Sequence, residues 1–289
     1  MTRSKITRSH ESAVGRWEMT VARPAPPLLS YVREYYGWFE HMASPLCRRE
    51  PPTEIIPVIV NFAAPVRIFD GDDLTRWTDY DSFTTGTFDR HVLVGSAGPS
   101  GGLQFNLTIL GARLFFGRPL HDLTNTIVRL DDVFGTDGSR LVTELYDAPS
   151  WDARFDILDR ELATRIFAAR PPSREVVWAW RRLMETCGRV PIGTLVGEIG
   201  WSQKHLIEQF RQEIGLPPKA LARVLRFGHA VRLIKSGRVR LAEVASDCGY
   251  YDQAHFTRDT HALAGVTPSE LIKSLMPDSG GFVAGDADR

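Results

Sequence analysis

The 289-residue sequence has few cysteines, no long apolar run and no net charge. Cys47, Cys187 and Cys248 lie far apart and form no Cys-x-x-Cys pair, which argues against a disulfide framework and a zinc site. We expect them to be plain buried thiols. No segment approaches the roughly 20 apolar residues of a membrane-spanning helix. Residues 1–16 include several basic residues, but the apolar stretch that a secretory signal needs does not follow them. We therefore expect a cytoplasmic protein without a membrane partner.

The 35 basic and 35 acidic residues balance over the whole chain, so net charge alone gives no support for a nucleic-acid partner. Their distribution is uneven. Residues 173–276 hold 15 Lys+Arg and 10 Asp+Glu, an excess of 5, whereas the remainder holds 20 basic and 25 acidic residues. A surface that binds the phosphates of DNA needs a local excess of positive charge, so the C-terminal third is the candidate for DNA contact.

The length favours two domains. Residues 1–22 are polar and aperiodic and are predicted to be flexible. Residues 23–135 carry the signals of strands: residues 54–62 are apolar and β-branched, and residues 103–109 alternate as in a half-buried strand. A Gly/Pro-rich stretch at 97–102 indicates a turn. We expect an antiparallel sheet or barrel in this part.

Helical spacing begins after Gly117, and residues 136–172 are predicted to form a helical linker region. Its expected buried positions are Leu141, Leu145, Phe155, Leu158, Leu162 and Ile166. Two prolines end this region, and Ser173 can cap the next helix. The prediction is a two-domain α+β fold, in which an antiparallel β-domain with flanking helices precedes an all-α domain at 173–276 and a disordered tail at 277–289.

Residues 192–210 have the pattern of a helix-turn-helix unit. A short first helix meets a tight turn at Gly200, and Ser202 caps a second helix that buries Leu206 and Phe210. A recognition helix presents its outward side chains to a major groove. The candidate DNA contacts of this unit are Ser202, Gln203, Lys204, Ile207, Glu208 and Arg211.

A second unit of the same kind occupies residues 241–259. Gly249 ends its first helix, Asp252 is placed to cap the next one, and Phe256 supplies the buried anchor. A capping box that begins at Thr267 predicts a final short helix. The candidate DNA contacts of this unit are Asp252, Gln253, Ala254, His255, Thr257 and Arg258.

Residues 217–235, between the units, are predicted to form one helix that begins at proline. About 19 residues at about 1.5 Å each give roughly 28 Å. This length approaches the roughly 34 Å of one DNA turn, the separation at which two recognition helices enter successive major grooves. Arg223, Arg226 and Arg232 on this helix either contact phosphate or lie on a solvated face.

From about Arg174 to Leu275 the chain resembles the DNA-binding domain of the AraC/XylS family of regulators. The motifs that carry the resemblance are Ser202-x-x-x-Leu206-x-x-x-Phe210, Gly215-Leu216-Pro217-Pro218, Gly249-Tyr250-Tyr251-Asp252-Gln253-Ala254-His255-Phe256 and Gly265-Val266-Thr267-Pro268. The resemblance implies a sequence-specific transcription regulator that binds double-stranded DNA. RNA polymerase, an unidentified small-molecule effector and a second copy of the chain are further candidate partners, and no cofactor is implied.

Residues 27–36 and 117–124 resemble the cupin-like effector or oligomerisation domain found in one branch of that family, which implies a fold and no particular ligand. One departure lies at Glu208, where the family often has arginine, and the neighbouring Gln209 also lacks positive charge. Either the first unit binds DNA more weakly, or Glu208 adds specificity by accepting a hydrogen bond from cytosine N4.

Two alternatives stay open from the sequence. One is a cupin-like enzyme or ligand-binding protein with a helical protein-interaction domain. The enzyme would need convergent metal ligands in the first 120 residues, but His41, His91 and His121 lie far apart without a His-x-His pair. Alternatively, the helical domain serves protein contact alone, since single helix-turn-helix patterns also occur in helical bundles.

Overall fold

The computed structural model describes residues 4–12, 15–42, 46–96, 98–237, 240–275 and 282–284. Two antiparallel sheets form most of its N-terminal half. The strands are β1 Lys5–Ser12, β2 Gly15–Ala22, β3 Val32–Met42, β4 Cys47–Glu50, β5 Ile55–Asn61, β6 Val66–Asp70, β7 Asp73–Tyr80, β8 Phe83–Thr85, β9 Val92–Ser96, β10 Ser100–Thr108, β11 Ile127–Arg129 and β12 Phe282–Val283.

Seven strands pair in the order β1-β2-β3-β10-β5-β8-β11, and five pair in the order β12-β4-β9-β6-β7. The pairings between these strands are antiparallel. The predicted antiparallel β-domain is thereby confirmed.

In place of the flexible segment expected at residues 1–22, the structure has β1 and β2. These strands pair residue by residue from Lys5 with Ala22 to Ser12 with Gly15, and β2 continues onto β3. Pairing satisfies the backbone hydrogen-bonding groups whatever the side chains are. The segment looks aperiodic in sequence because β1 is an edge strand whose described side chains are exposed.

The strand expected to be half-buried at residues 103–109 instead has buried side chains on both faces, with Gln104 half-buried. Within the sheet, β10 lies between β3 and β5. The turn expected at 97–102 is also shorter, since Gly101 and Gly102 belong to β10. A Cβ atom on Gly101 would lie 2.6 Å from the ring of Phe39. Glycine is therefore needed at this position to leave room for the Phe39 ring, and not to form a turn. Residue 97 lies outside the described residues.

The predicted disordered tail also contains structure. Phe282 is buried, and β12 pairs with β4. The other residues of 277–289, apart from Ala284, lie outside the described part of the chain. Of the three cysteines expected to be buried, Cys248 is buried, whereas Cys47 and Cys187 are half-buried.

Eleven α-helices lie in the described residues: α1 Ile109–Phe115, α2 Leu130–Phe134, α3 Thr136–Asp147, α4 Trp151–Ala168, α5 Arg174–Glu185, α6 Ile192–Ile199, α7 Gln203–Ile214, α8 Pro218–Lys235, α9 Leu241–Asp247, α10 Gln253–Ala264 and α11 Pro268–Lys273. The six buried positions predicted for α3 and α4 are all confirmed. Among the described residues, no helix has both the length and the apolar character needed to cross a membrane.

Two clusters of buried apolar side chains hold these elements together. The larger one runs from the β-domain without a break into α5 to α8, and includes Leu195, Leu206 and Phe210 of the first helix-turn-helix unit. The smaller one joins the end of α8 to α9 and α10, and includes Val244 and Phe256 of the second unit. The first unit thus lies in the core shared with the β-domain, while the second is divided: Val244 and Phe256 lie in the smaller cluster, and Leu263 and Ala264, at the end of α10, lie in the larger one.

Candidate nucleic-acid interface

The first helix-turn-helix unit consists of α6 and α7. Gly200 ends α6 with a left-handed backbone, φ +77°, as the tight turn requires. The Ser202 hydroxyl accepts a hydrogen bond from the His205 backbone N–H over 3.2 Å and thereby caps α7. Leu206 and Phe210 are fully buried on its inner face. The structure confirms both helices and the cap that the sequence predicted.

The outer face of α7 carries the remaining candidate contacts of this unit. Their side chains are exposed, and they lie along one side of the helix: Gln203, Lys204, Ile207, Glu208 and Arg211. They form one wall of an open cleft of about 660 Å³, together with Gln212. His121, from a short 3-10 helix of the β-domain, Leu120–Leu123, lines the same cleft.

The second unit consists of α9 and α10. Asp252 Oδ1 accepts a hydrogen bond from the His255 backbone N–H over 2.6 Å, which caps α10. The predicted outward residues divide into two groups. Gln253, Ala254 and Arg258 are exposed. His255 and Thr257 are half-buried: the His255 ring contacts the Tyr250 ring, and Thr257 donates its hydroxyl hydrogen to the Gln253 carbonyl.

Sequence reasoning missed the group that fixes α10 against α8. Asp259 is buried at 7% exposure, and its Oδ1 accepts hydrogen bonds from Arg223 Nε at 3.1 Å and Nη2 at 3.0 Å. Arg226 Nη2 and His255 Nε2 approach Oδ2 at 4.0 Å and 3.8 Å. The Arg226 guanidinium also lies over the Tyr250 ring. This set of contacts, here called the Asp259 cluster, sets the position of α10.

The Asp259 cluster also decides the role of the spacer arginines. Arg223 and Arg226 are engaged with Asp259, and Arg232 forms an ion pair with Glu54 of the β-domain at 3.1 Å. These three side chains are therefore held by carboxylates, and phosphate contact is not the role that their geometry favours. Burial raises the pKa of Tyr250 far above its usual value, so its hydroxyl stays protonated beside Asp259.

Tyr251 is another residue that sequence reasoning passed over. Its side chain is 92% exposed, immediately before the cap of α10, whereas its neighbour Tyr250 is buried. An exposed aromatic side chain with a hydroxyl at the start of a recognition helix can donate to a phosphate oxygen. The signal in the sequence was the Tyr-Tyr pair, of which the core needs only one.

The β-domain contacts the C-terminal end of both recognition helices. At the end of α7, Thr124 donates its hydroxyl hydrogen to the Gly215 carbonyl over 3.0 Å, and Arg113 forms an ion pair with Glu213 at 2.5 Å. At the end of α10, Arg49 Nη1 donates to the Ala264 carbonyl over 2.9 Å. The units are thereby held against the β-domain at two separate places.

The contact at α10 includes a surface carboxylate. Asp72 accepts from His91 Nε2 at 2.8 Å, and Arg49 lies 3.4 Å away. The hydrogen bond from His91, with help from the charge of Arg49, holds the pKa of Asp72 below its usual value. His91 also lies beside Gly265, where a Cβ atom would stand 2.4 Å from the imidazole. His91 thus belongs to the contact between the domains.

Among the described residues, no group of three or more His, Cys, Asp or Glu side chains could hold a metal ion. His41, His91 and His121, the histidines considered in the sequence, do not come together in such a group.

A family model described as a helix-turn-helix domain matches residues 195–274. These residues of the C-terminal domain therefore form a helix-turn-helix domain. The transcriptional activator RhaR of Escherichia coli (strain K12) is 32% identical over 73 residues, which are 25% of this chain and 26% of RhaR. The chain spans about a quarter of the length of the curated relatives it matches.

Two solved structures are similar to most of the chain at low sequence identity. ToxT from Vibrio cholerae O395 has a TM-score of 0.44 at 12% identity, over 81% of this chain and 97% of ToxT. The AraC-like transcriptional activator CuxR has a TM-score of 0.32 at 12% identity, over 80% of this chain and 86% of CuxR.

Proposed function

We propose that this protein is a sequence-specific DNA-binding transcription regulator that inserts α7 and α10 into successive major grooves of a duplex. The observation that carries the proposal is the pair of capped helices with exposed outer faces, joined by the 18-residue helix α8. At about 1.5 Å per residue α8 is roughly 27 Å long, which suits two grooves about one turn apart.

The proposed contacts differ between the two helices. On α7 they are Gln203, Lys204, Ile207, Glu208 and Arg211, and on α10 they are Gln253, Ala254 and Arg258. Ser202 and Asp252 serve as helix caps, which aim backbone N–H groups at phosphates rather than reading bases. His255 and Thr257 act from half-buried positions, so their share in base contact is smaller than the sequence suggested.

The proposed contacts on the two helices have the same net charge of plus one but a different composition. On α10 it comes from Arg258 alone, whereas on α7 Lys204 and Arg211 flank Glu208, whose carboxylate repels phosphates. We propose that Glu208 accepts a hydrogen bond from a cytosine amino group. Replacing Glu208 with arginine should tighten binding to mixed-sequence DNA and change the preferred base at one position, which selection of bound duplexes would show.

The β-domain is proposed to bind a small-molecule effector or a second copy of the chain and to influence the helices that it contacts. Its contacts with the ends of α7 and α10 support this coupling. Contact with RNA polymerase, and a location in the cytoplasm, belong to the same proposal. The alternative of a cupin-like enzyme would require a bound metal, which elemental analysis of the purified protein would detect.

The experiment uses the full chain, since the first unit shares its core with the β-domain. Genomic fragments that bind are selected, and fluorescence anisotropy then gives the affinity of the recovered duplex at several salt concentrations. Lys204→Glu and Arg258→Glu should each weaken binding at least tenfold and flatten the salt dependence. Arg76→Glu, a charge reversal at an exposed site on β7, is the matched control and should change little.

Unchanged affinity of both reversal variants would contradict the assignment of these helices and would favour a domain for protein contact. Failure of the full chain to retain any fragment in a salt-dependent way would contradict DNA binding itself.

A further inference from the structure

We propose that the short 3-10 helix Leu120–Leu123 of the β-domain lies at the rim of the major groove entered by α7, where His121 contacts a phosphate and Asp122 repels it. The β-domain would thus supply part of the DNA-binding surface. This inference rests on the proposed function, and it concerns residues outside the helix-turn-helix domain.

The first step is that this 3-10 helix is held against α7. Thr124, directly after it, donates to the Gly215 carbonyl at the end of α7, and the Leu120 carbonyl lies beside Gly215. The ion pair between Arg113 and Glu213 is largely buried and adds a second attachment. Because the two elements also share one apolar core, α7 cannot approach a duplex without bringing the 3-10 helix with it.

The second step is the side of α7 on which the 3-10 helix lies. His121 lines the same cleft as the five exposed residues proposed to contact DNA. It therefore lies beside the outer face of the recognition helix and not behind it.

The third step compares dimensions. An α-helix with its side chains is about 10–12 Å wide, and the major groove of B-DNA is about 12 Å wide. A recognition helix therefore fills the groove, and an element that flanks its outer face meets the edge of the groove. The edges of the groove are formed by the phosphate backbones, so His121 and Asp122 face negative charge there.

The fourth step is the chemistry of the two side chains. His121 Nε2 lies 3.1 Å from Asp122 Oδ1, and both side chains are accessible, with exposures of 37% and 57%. An imidazole N–H can donate to a phosphate oxygen, whereas a carboxylate next to phosphates is repelled. The two neighbouring residues should therefore change DNA affinity in opposite directions.

The experiment measures anisotropy of the selected duplex with the full chain at pH 7 and moderate salt. His121→Ala should weaken binding by about three- to tenfold, the loss of one hydrogen bond to a charged group. Asp122→Asn, which keeps the shape and removes the charge, should tighten binding by about two- to fivefold through the loss of a repulsion at short range.

The chain offers a matched control in His10 and Glu11, which are adjacent, exposed residues on β1. β1 is at one edge of the seven-stranded sheet, while the 3-10 helix lies near the other edge, where Gly86 after β8 abuts Leu123. His10→Ala and Glu11→Gln make the same changes of charge and should leave the affinity unchanged.

Ethylation interference gives a readout that a purely structural role would not move. Ethylation of one phosphate beside the first half of the site should weaken binding of the wild-type protein. Binding of the His121→Ala variant should no longer depend on that phosphate, while its dependence on the other phosphates stays the same. Equal thermal midpoints of the variants would show that they fold alike.

The inference is overturned if the wild-type chain binds DNA while both variants bind like it, or if His121→Ala tightens binding because the 3-10 helix obstructs the duplex. Weaker binding by Asp122→Asn would also overturn it. A wild-type chain that binds no DNA would instead contradict the proposed function.

Discussion

Gly215 offers the sharpest test of how the β-domain meets the first recognition helix. Its backbone has φ +92°, and an alanine Cβ there would lie 2.2 Å from Thr87 Oγ1 and 3.2 Å from the Leu120 carbonyl oxygen. Gly200, at the end of α6, has φ +77° and no atom within 4 Å of the same Cβ position. Both glycines have a positive φ, but Gly200 lies in the left-handed helical region at ψ +14°, whereas Gly215 lies outside it at ψ −48°. The backbone of Gly215 is therefore at least as unfavourable for alanine as that of Gly200, and only Gly215 adds a steric requirement.

The expected costs follow from this difference. A non-glycine residue in the left-handed region costs about 1–2 kcal/mol, so Gly200→Ala should lower the free energy of unfolding by about that much. Overpacking adds about 1–3 kcal/mol, so Gly215→Ala should cost about 2–5 kcal/mol. Denaturant unfolding followed by tryptophan fluorescence measures both, provided that the m-values stay equal.

Thr87 allows the steric part to be isolated. Its buried hydroxyl has no hydrogen-bond partner among the described residues, so Thr87→Ala should by itself cost little. In the Gly215→Ala background, Thr87→Ala should recover part of the overpacking loss, because it removes the nearest atom. Equal destabilisation by Gly215→Ala and Gly200→Ala, with no recovery from Thr87→Ala, would refute the contact between α7 and the β-domain.

Three further outcomes are expected. Asp259→Asn keeps an acceptor for Arg223 but loses the charge, so it should cost about 1–2 kcal/mol in the unfolding free energy and weaken DNA binding; an unaltered affinity would show that α10 keeps its position without the charge. Ser202→Ala removes the cap of α7 and should cost about 1 kcal/mol by denaturant unfolding; no loss would contradict the cap. The lowered pKa of Asp72 means that its contribution to stability is complete above about pH 4, its unfolded pKa, and is lost as the pH falls through the lower folded pKa. Thermal midpoints measured from pH 6 downwards should therefore fall less for Asp72→Asn than for wild type, by a small margin because the carboxylate is 65% exposed; identical curves would contradict the pairing with His91.

The two recognition helices could be predicted from the sequence because their signals are local. Ser202 and Asp252 stand directly before α7 and α10, and the buried positions Phe210 and Phe256 follow at helical spacing. An N-cap residue, apolar residues at helical spacing and a glycine that ends the helix are all recognisable from residues within one or two helical turns. The starts of α7 and α10 therefore agree with the structure, whereas the helices continue to Ile214 and Ala264, beyond the ends of the predicted units at residues 210 and 259.

The Asp259 cluster could not be predicted in the same way. Arg223 and Asp259 are 36 residues apart, and each looks like an ordinary surface charge of an amphipathic helix. Only the crossing of α8 and α10 brings them together, and that crossing depends on packing that no short stretch of sequence specifies. The sequence thus suggested phosphate contact for arginines that the fold uses internally.

Strands β1 and β10 were misjudged for a related reason. The pairing of a strand and the packing on its two faces both depend on segments distant in sequence: β10 is central in the sheet, whereas β1 lies at an edge. The alternation of Leu103, Phe105 and Leu107 predicted one buried face correctly. It could not show that the sheet and its surroundings also bury Asn106, on the other face.

The division of the core has a consequence for how such a regulator would work. The first unit lies in the core that it shares with the β-domain, whereas the second has Val244 and Phe256 in a cluster of its own and shares Leu263 and Ala264, at the end of α10, with the larger core. Arg49 and Arg232 add polar contacts between the second unit and the β-domain. Polar contacts at a surface break at a smaller cost than an apolar core does. On the proposed function, a change in the β-domain would therefore carry α7 with it and disturb the smaller cluster of the second unit less. The spacing between the recognition helices, set through α8, is then the quantity that an effector would alter, and duplexes with half-sites moved by one base pair would measure it.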